Sequence, residues 1–403
     1  MKILLAHNFY QQPGGEDRCF AAEADLLRDR GHEVVCYTQD NKTIDEMSSM
    51  RLAVKTIWNN ETHADIERLA REHRFDVVHF HNTFPLISPA AYYAAKSEGA
   101  AVVQTLHNYR LICPLGTMTR NHENCGLCVG KTLPWQSLVH SCYRDSRAAT
   151  GVIFSMLATH NIRGTWNKMI DVYISLTDSA RRAMIAGGLP GDRIVVKPNF
   201  VDPDPGYAEE TDGYALFVGR LTEVKGIETL LAAWDRLPKK PQLKIVGDGP
   251  LRPMVTAAAD KHPEIEFVGP VGRDRVFELM ARCSFLIFPS EWNETFGLVA
   301  IEAFAKGKPV IASHIGALGE IIENRRTGLH FRPGDPQDLA DRVSWAAENP
   351  QELHAFGVNA RKTYLDKYTA ERNYEMLMSI YRAALEPAAF GAARVLDKEV
   401  ALP

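Results

Sequence analysis

Residues 214–218 read Y-A-L-F-V, and this short apolar run restarts a pattern that already runs through the first half of the chain. Short β-branched runs that alternate with helical segments are typical of buried parallel strands. The predicted strands cover residues 2–6, 33–37, 75–80, 101–106 and 172–177 in the first half, and 214–218, 243–247, 265–269, 285–289 and 309–313 in the second. The sequence therefore predicts two α/β domains in tandem.

The stretch K-P-N-F-V-D-P-D-P-G at residues 197–206 separates the two halves and is rich in residues that break regular structure. We predict a first domain over residues 1–200 and a second over 201–368. A C-terminal helix at 369–390 is expected to cross back to the first domain, before a loose tail at 391–403. Because ligands of open parallel sheets bind beyond the carboxyl ends of the strands, we expect the site in a cleft between the domains.

Composition limits the function. The 403 residues are 45% hydrophobic, and 46 basic against 50 acidic residues give a net charge of -4. A nucleic-acid-binding protein normally carries a basic surplus, so no nucleic-acid partner is expected. The start M-K-I-L-L-A-H-N does not resemble a signal peptide, and no stretch reaches the roughly 18 apolar residues of a membrane span. We expect a cytoplasmic protein.

The loop after the first strand of the second domain reads V-G-R-L-T-E-V-K-G. Gly219 permits a tight exit from the strand, and Arg220 and Lys225 bring two cations to one strand end. A guanidinium fork and an ammonium point charge suit the oxygens of a diphosphate. An exposed turn with solvated charges is the alternative, but a glycine beside each cation favours the diphosphate site.

Residues 290–304 read S-E-W-N-E-T-F-G-L-V-A-I-E-A-F and follow the fourth predicted strand of the second domain. Gly297 to Val299 are expected to begin a helix, whose first N–H groups have no partner within it. Glu302 lies among apolar residues of that helix, where a carboxylate is rarely buried unless it is paired. We expect Glu302 to accept hydrogen bonds from the hydroxyl groups of a ribose, and Glu294 to contact the far end of the same ligand.

Two weaker signals lie in the first domain. Gly14 and Gly15 follow the first strand and allow backbone N–H groups to approach an anion, although most Gly-Gly pairs are plain turns. His107 follows the fourth strand, where a lone histidine is more often structural than functional.

The motifs V-G-R-x-x-x-x-K-G, P-S-x-x-x-E-x-F-G-L-x-x-x-E-A and G-K-P-V-I-A-S together resemble the retaining nucleotide-sugar glycosyltransferases of family 4. With H-N-Y and K-P-N-F-V-D, the resemblance extends across most of the chain. It implies the GT-B fold, in which two Rossmann-like domains face each other across a cleft. It also implies an activity that moves a sugar from a nucleoside-diphosphate sugar to an acceptor.

The resemblance implies a role for each motif residue. Those implied to be catalytic are Arg220, Lys225, Glu294 and His107. Those implied to bind the donor are Gly15, Gly219, Arg220, Lys225, Glu294, Phe296, Gly297, Leu298, Val299 and Glu302. Trp292 and Asn293 depart from the pattern, because the family often has small or polar residues there, and this departure leaves the donor sugar open.

Neutralising the charge on the departing nucleoside diphosphate is the main chemical task. Arg220, Lys225 and the helix N-terminus supply this neutralisation, so no catalytic metal is expected. The acidic pair in D-P-D at 202–204 is accordingly interpreted as part of the linker, and no protein nucleophile is nominated.

Four of the seven cysteines lie within an insertion at 113–142, with C-x-x-C at its centre. Cytosolic proteins rarely keep disulfides, and four thiols around such a pair predict a structural zinc site. An iron–sulfur cluster and thiols without a metal remain alternatives. The proposed ligands are Cys113, Cys125, Cys128 and Cys142.

The leading functional hypothesis is a glycosyltransferase that acts on a glycan or lipid-linked acceptor in the synthesis of a cell-surface polysaccharide. A nucleotide-sugar epimerase and a non-catalytic nucleotide-sugar-binding subunit are the alternatives. Residues 131–200 hold nine basic against four acidic residues, and residues 147–170 include an uncharged run beside Trp166. A helix packed in the first domain is the first interpretation of this run, and a peripheral contact with the inner face of the membrane is the second.

Overall fold

The computed structural model describes residues 1–12, 14–121 and 123–386. The chain divides into two compact units. Unit 1 comprises Met1–Thr117, Gly126–Pro198 and the chain from Asn373, and unit 2 comprises Met118–Cys125 and Asn199–Arg372. The predicted tail at 391–403 and the end of the predicted C-terminal helix lie outside the described residues.

Strands and helices alternate along most of the chain. The strands are β1 (Lys2–Phe9), β2 (Glu33–Asp40), β3 (Val77–Asn82), β4 (Ala101–Leu106), β5 (Thr119–Arg120), β6 (Glu123–Asn124), β7 (Val172–Ser175), β8 (Ile194–Val196), β9 (Ala215–Val218), β10 (Leu243–Val246), β11 (Ile265–Gly269), β12 (Phe285–Phe288), β13 (Val310–Ser313) and β14 (Gly328–Phe331). The helices are α1 (Gly15–Asp29), α2 (Ser49–Ile57), α3 (Asn60–His73), α4 (Ala90–Ser97), α5 (Gln136–Val139), α6 (Arg147–Arg163), α7 (Thr165–Lys168), α8 (Asp178–Ala186), α9 (Ile227–Arg236), α10 (Arg252–Lys261), α11 (Arg273–Arg282), α12 (Leu298–Ala305), α13 (Leu318–Ile321), α14 (Pro336–Glu348), α15 (Pro350–Lys367) and α16 (Ala370–Leu385).

Each unit is built around one parallel six-stranded sheet. The strand order is β2-β1-β3-β4-β7-β8 in unit 1 and β11-β10-β9-β12-β13-β14 in unit 2. When the six strands of the unit 2 sheet are numbered along the chain, their order in the sheet is 3-2-1-4-5-6, which is the Rossmann order. All ten predicted strands are present, and β8 and β14 are additional strands at the sheet edges. The predicted fold class of two Rossmann-like domains is confirmed.

The core of unit 1 joins its sheet to the C-terminal helix. Leu377 and Tyr381 of α16 are fully buried with Ile3 of β1 and Val77 of β3. Burying an apolar side chain of this size stabilises a fold by about 1.5–3 kcal/mol. Residues from Asn373 therefore contribute to the first unit rather than to the second.

The cysteine insertion is divided between the units. The short antiparallel hairpin of β5 and β6 belongs to unit 2, although the sequence places the whole insertion in the first domain. Asn124 at the end of this hairpin accepts a hydrogen bond of 2.9 Å from the Asn293 amide. This contact explains why the hairpin packs with unit 2.

Residues 147–170, which include the uncharged run, contain α6 and α7. Ile153, Met156 and Leu157 of α6 are buried, as expected for a helix packed in the domain. Trp166 is also buried, and its indole N–H donates to Asn161 at 2.6 Å. Trp166 is therefore not at the surface where a lipid-facing helix would need it. Within the described residues, no helix is both long and apolar enough to cross a membrane.

Candidate functional site

The loops that follow β9 and β12 approach each other closely in unit 2. Gly226 has a φ of 70°, and a Cβ at this position would lie 1.9 Å from the Pro289 carbonyl oxygen. The Glu291 N–H donates to the Val224 carbonyl at 2.9 Å, which ties the two loops together. Only glycine fits such a backbone approach without displacing the neighbouring loop.

This approach brings Lys225 into contact with Glu294. The Lys225 ammonium donates to Glu294 Oε1, which also accepts from the Ser290 hydroxyl at 2.8 Å and the Trp292 indole N–H at 2.9 Å. The Lys225 Nζ lies 5.4 Å from the centre of the Trp292 ring. Three donors thus fix one carboxylate oxygen of Glu294. Within the described chain, no donor is assigned to Oε2.

Arg220 lies in the same loop as Lys225, at the end of β9. Its side chain is exposed, and within the described residues its guanidinium has no hydrogen bond or ion pair. An unneutralised guanidinium beside a lysine is a favourable position for an anion with several oxygens. Gly219 precedes Arg220. A Cβ added to Gly219 would lie 3.2 Å from the Phe217 ring.

Helix α12 begins directly after these loops. Gly297 is its N-cap, and Leu298 and Val299 are its first residues, both half-buried. The first N–H groups of a helix have no acceptor inside it and attract negative charge. Phe296 is buried against Tyr368, with 6.2 Å between the ring centres. The predicted helix start is confirmed within one residue.

Glu302 lies one turn further along α12 and is only 2% exposed. Glu294 is 8% exposed, so both predicted carboxylates of unit 2 are largely buried at the carboxyl end of the sheet. Two buried carboxylates, two cations and a helix N-terminus suit a ligand that carries both hydroxyl groups and phosphates. This part of the predicted site is assembled within one unit.

Gly15 lies in unit 1, at the first position of α1 after β1. The preceding Gly14 N–H donates to Asp17 Oδ2 at 2.7 Å, so a carboxylate of the chain itself caps this helix. Glu16 adds a second acidic side chain to the same turn. The phosphate-binding role of Gly15 stays a prediction.

Glu16 takes part in a hydrogen-bonded chain beside this helix. It accepts from the Tyr10 hydroxyl at 3.0 Å, and that hydroxyl accepts from the Asn108 amide at 3.3 Å. Desolvation of the carboxyl group, partly offset by the bond from Tyr10, raises the pKa of Glu16 to about 8. Glu16 is therefore largely protonated at neutral pH, which reduces the negative charge at the start of α1.

His107 lies half-buried after β4 and contacts a second histidine. Its Nε2 is 3.0 Å from Nδ1 of His81, a buried residue of β3. Burial, followed by the charge of His7, lowers the pKa of His107 to about 3. Burial also lowers the pKa of His81 well below its ordinary value. Both rings are therefore neutral at pH 7.

Sequence reasoning missed the buried polar cluster around His81. Glu23, His79 and His81 place one ligand-type atom each within 4.8 Å of one another. Lys197 lies 3.4 Å from Glu23, and burial raises the pKa of the Glu23 carboxyl. The signal available in the sequence was H-F-H at 79–81, because alternate residues of a strand face the same side.

The four cysteines of the insertion are divided between the units, with Cys125 in unit 2 and the other three in unit 1. Among the described residues, Glu23, His79 and His81 form the one group of three or more potential ligands within 4.8 Å, and it contains no cysteine. Cys113, Cys125, Cys128 and Cys142 are all half-buried. The zinc site stays a prediction, with no geometry to support it.

Comparison with known proteins gives matches over both units. The family described as Glycosyltransferase Family 4 matches residues 13–205, and the family described as Glycosyl transferases group 1 matches residues 202–363. The solved structure of Anabaena Alr3699/HepE in complex with UDP has a TM-score of 0.67 and 18% identity, and the match covers 95% of this chain and 100% of that one. At this identity, the likeness shows the fold, whose neighbours are GT-B glycosyltransferases.

Two curated relatives illustrate the range of similarity. Uncharacterized glycosyltransferase MJ1178 of Methanocaldococcus jannaschii is 32% identical over 192 residues, which are 47% of this chain and 54% of that protein. N-acetyl-alpha-D-glucosaminyl L-malate synthase of Bacillus anthracis is 23% identical over 94% of this chain and 97% of that protein. The chain spans about half the length of the first curated relatives that it matches, at 54% and 47%.

Proposed function

Because the chain belongs to the group 1 and family 4 glycosyltransferases, we propose that it is a hexosyltransferase that uses a nucleoside-diphosphate sugar and retains the anomeric configuration. One observation carries this proposal. Lys225 and the buried Glu294 are joined beside an exposed Arg220, at the carboxyl ends of β9 and β12. That combination offers cations to a diphosphate and a carboxylate to a sugar.

Arg220 and Lys225 take the role of holding the donor diphosphate. As the bond to the sugar breaks, negative charge grows on the departing diphosphate, and fixed positive charge stabilises that transition state more than the ground state. The N-terminus of α12, with Gly297, Leu298 and Val299, adds partial positive charge on the same side. These groups perform the neutralisation for which other enzymes use a metal ion, so no catalytic metal is required.

Glu302 and Glu294 each bind a different part of the donor beyond the diphosphate. Glu302 accepts hydrogen bonds from the ribose, and Glu294 Oε2 contacts hydroxyl groups of the transferred sugar. Because Lys225, Ser290 and Trp292 hold the other oxygen of Glu294, the carboxylate is oriented before the donor arrives. The roles that the resemblance implies for His107 at the transferred sugar and for Gly15 near the donor phosphates are part of the same proposal.

A uridine nucleotide is the first donor to test, since Anabaena HepE was solved with UDP. The decisive assay measures the release of nucleoside diphosphate from a panel of UDP-, GDP- and ADP-sugars without an acceptor. A glycosyltransferase hydrolyses at least one donor slowly. An epimerase would instead return an isomerised nucleotide sugar, and a non-catalytic subunit would bind the nucleotide without releasing any sugar.

The acceptor is proposed to be a glycan or lipid-linked sugar of a cell-surface polysaccharide, met at the inner face of the membrane. Unit 1 carries an apolar surface of Leu133, Trp135, Val139 and Ile162, with Trp135 56% and Ile162 71% exposed. Asn161 donates to the Thr132 carbonyl at 3.0 Å, which brings Ile162 near Leu133. Exposed apolar side chains within a basic region suit an anionic lipid surface.

Sedimentation with anionic vesicles tests the membrane contact. We expect binding at low salt that weakens at high salt, because the basic residues contribute through screened attraction. Trp135→Glu should abolish it, whereas Met254→Glu, at an exposed methionine of unit 2, should leave it unchanged. No binding of the wild-type protein at either salt concentration would overturn this part of the proposal.

The zinc proposal has an independent test. Elemental analysis of anaerobically purified protein should find about one zinc or iron per chain, and the Cys125→Ser variant should lose it. If the protein contains neither zinc nor iron, the zinc proposal is wrong and the cysteines are thiols that bind no metal.

A further inference from the structure

Two histidines of β3 face the same side of the sheet in unit 1. His79 Nδ1 lies 2.8 Å from the Tyr381 hydroxyl and its Nε2 lies 2.8 Å from the Thr105 hydroxyl, so packing fixes this ring at both ends. His81 instead directs Nδ1 toward His107. The rings of His81 and His107 are 5.2 Å apart between centres and tilted by only 23°.

The hydrogen bond between His81 Nδ1 and His107 Nε2 contains one proton, which belongs to one of the two rings. A neutral imidazole has one N–H donor and one bare nitrogen acceptor, so only one of the two rings can donate in the contact between them. Nε2 of His81 is buried and has no hydrogen-bond partner among the described residues. A buried N–H without an acceptor costs more than an unfilled acceptor site, so His81 should carry its proton on Nδ1. His107 would then accept at Nε2 and keep its own proton on Nδ1.

We propose that His81 is a positioning residue, which holds the His107 ring in one orientation and one tautomer through the hydrogen bond between the two rings. The proposal rests on the proposed role of His107 at the transferred sugar. Strand β3 fixes His81, and β4 delivers His107 at its end, so the register of two neighbouring strands sets the contact. The half-buried His107 then presents a defined N–H to its surroundings.

A metal ion is a poorer interpretation of the same cluster. Glu23, His79 and His81 offer three ligand-type atoms, but a divalent cation there would lie beside the buried ammonium of Lys197, which is 3.4 Å from Glu23. It would also compete with Tyr381 for His79. A hydrogen-bonded network satisfies these groups without adding buried positive charge.

Two variants of His81, with side chains of nearly equal polarity, distinguish a role in positioning His107 from a role in packing the core. In His81→Asn, an amide group occupies the place of Nδ1, whereas in His81→Gln it occupies the place of Nε2. His79→Gln removes a neighbouring buried imidazole from the same strand and serves as the matched control. The His107 signals in the ¹⁵N spectrum of histidine-labelled protein are assigned from the His107→Asn variant.

The wild-type protein should show one neutral His107 tautomer, with the proton on Nδ1. His81→Asn and His79→Gln should keep that signature, and His81→Gln should give averaged tautomers. The opposite His107 tautomer in the wild type, or an unchanged His107 spectrum in His81→Gln, would overturn the proposal. This readout needs no activity, so it stands apart from the proposed function.

Donor turnover supplies the second readout. His81→Gln should lower kcat on the order of tenfold to a hundredfold while the affinity for the nucleoside diphosphate is unchanged, because misplacing a contacting group slows the chemical step. His81→Asn should recover most of that loss. Equal losses in His81→Asn, His81→Gln and His79→Gln would indicate a packing role only. Full activity of His107→Asn would instead reject the role of His107 itself.

Discussion

The two units each contain a parallel six-stranded sheet but differ in the side chains at the carboxyl ends of its strands. At these ends, unit 1 carries imidazole rings whose low pKa values keep them neutral, among them the buried His81 and the half-buried His107. At the corresponding ends in unit 2, Arg220 is exposed and Lys225 is paired with Glu294. Two parallel sheets therefore present neutral groups in one unit and charged groups in the other, because the residues that follow their strands differ.

The largest expected effect removes a cation from unit 2. Lys225→Ala and Arg220→Ala should each lower kcat/KM by about thirtyfold or more, because each loses a charge-assisted contact of about 2–3 kcal/mol with the departing diphosphate. Steady-state donor turnover measures this. Arg236→Ala, at an exposed arginine of α9, is the control and should behave as wild type. Wild-type turnover in either Lys225→Ala or Arg220→Ala would contradict the assignment.

A second contrast concerns the glycines that open the first helix of each unit. Gly226→Ala should destabilise unit 2 by about 1–2 kcal/mol from its left-handed backbone alone, with a further cost for the contact with Pro289. Gly14→Ala in unit 1 should cost less free energy, because alanine adopts a φ of -129° without strain and the nearest atom is 4.0 Å from the added Cβ. Chemical denaturation would compare the two free energies of unfolding. Equal losses would show that the close approach of the unit 2 loops has no energetic importance.

The two carboxylates of unit 2 should separate in a binding experiment. Glu302→Gln should weaken the binding of the free nucleoside diphosphate roughly tenfold, because it weakens the bonds to the ribose. Glu294→Gln should leave this affinity nearly unchanged and lower sugar transfer. Isothermal calorimetry with the nucleotide alone tests the division. The reverse pattern would require the ribose and the sugar to exchange places.

The smallest expected effect is a pH dependence in unit 1. The pKa of Glu16 is raised from 4.5 to about 8, so the folded state resists its ionisation, and wild-type stability should fall as pH rises through this range. Glu16→Gln removes the ionisable group. Its melting temperature relative to wild type should therefore rise between about pH 5 and pH 8.5.

Asp204→Asn in unit 2 is the control for that measurement. The hydrogen bond from Arg361 lowers the pKa of Asp204 below its ordinary value of 3.8. The ionised Asp204 therefore contributes its full stabilisation at every pH above about 3.8. Asp204→Asn should accordingly lose the same stability at pH 5 and at pH 8.5. A flat difference for Glu16→Gln as well would show that Glu16 ionises freely in the folded protein.

Most of the fold was predictable from sequence because buried parallel strands leave strong apolar runs. Strand β8 was missed because its apolar run, I-V-V, is only three residues long, and β14 was missed because His330 interrupts the run G-L-H-F. Arg220, Lys225 and Glu294 could be nominated from sequence because two motifs place them next to a glycine or shortly before a helix start, and the structure brings Lys225 and Glu294 into contact. Trp292 looked like a departure from that motif, and its contact with Glu294 explains the residue only in three dimensions.

The histidine cluster could not be predicted in the same way. The sequence shows H-F-H at 79–81 and a separate His107, but their contact depends on the register of β3 against β4. The zinc site in the cysteine insertion rests on sequence spacing alone and stays a prediction, since Cys125 lies in unit 2 and the other three cysteines lie in unit 1.

Hydrogen exchange followed by mass spectrometry tests the central contrast most directly. UDP, GDP and ADP would each be added at increasing concentrations to the full-length protein. With at least one of them, peptides that cover 219–226 and 290–302 of unit 2 should exchange more slowly, because the bound diphosphate and ribose hold both loops and the start of α12. Protection confined to unit 1, or no protection with any of the three nucleotides, would contradict the assignment of charge recognition to unit 2.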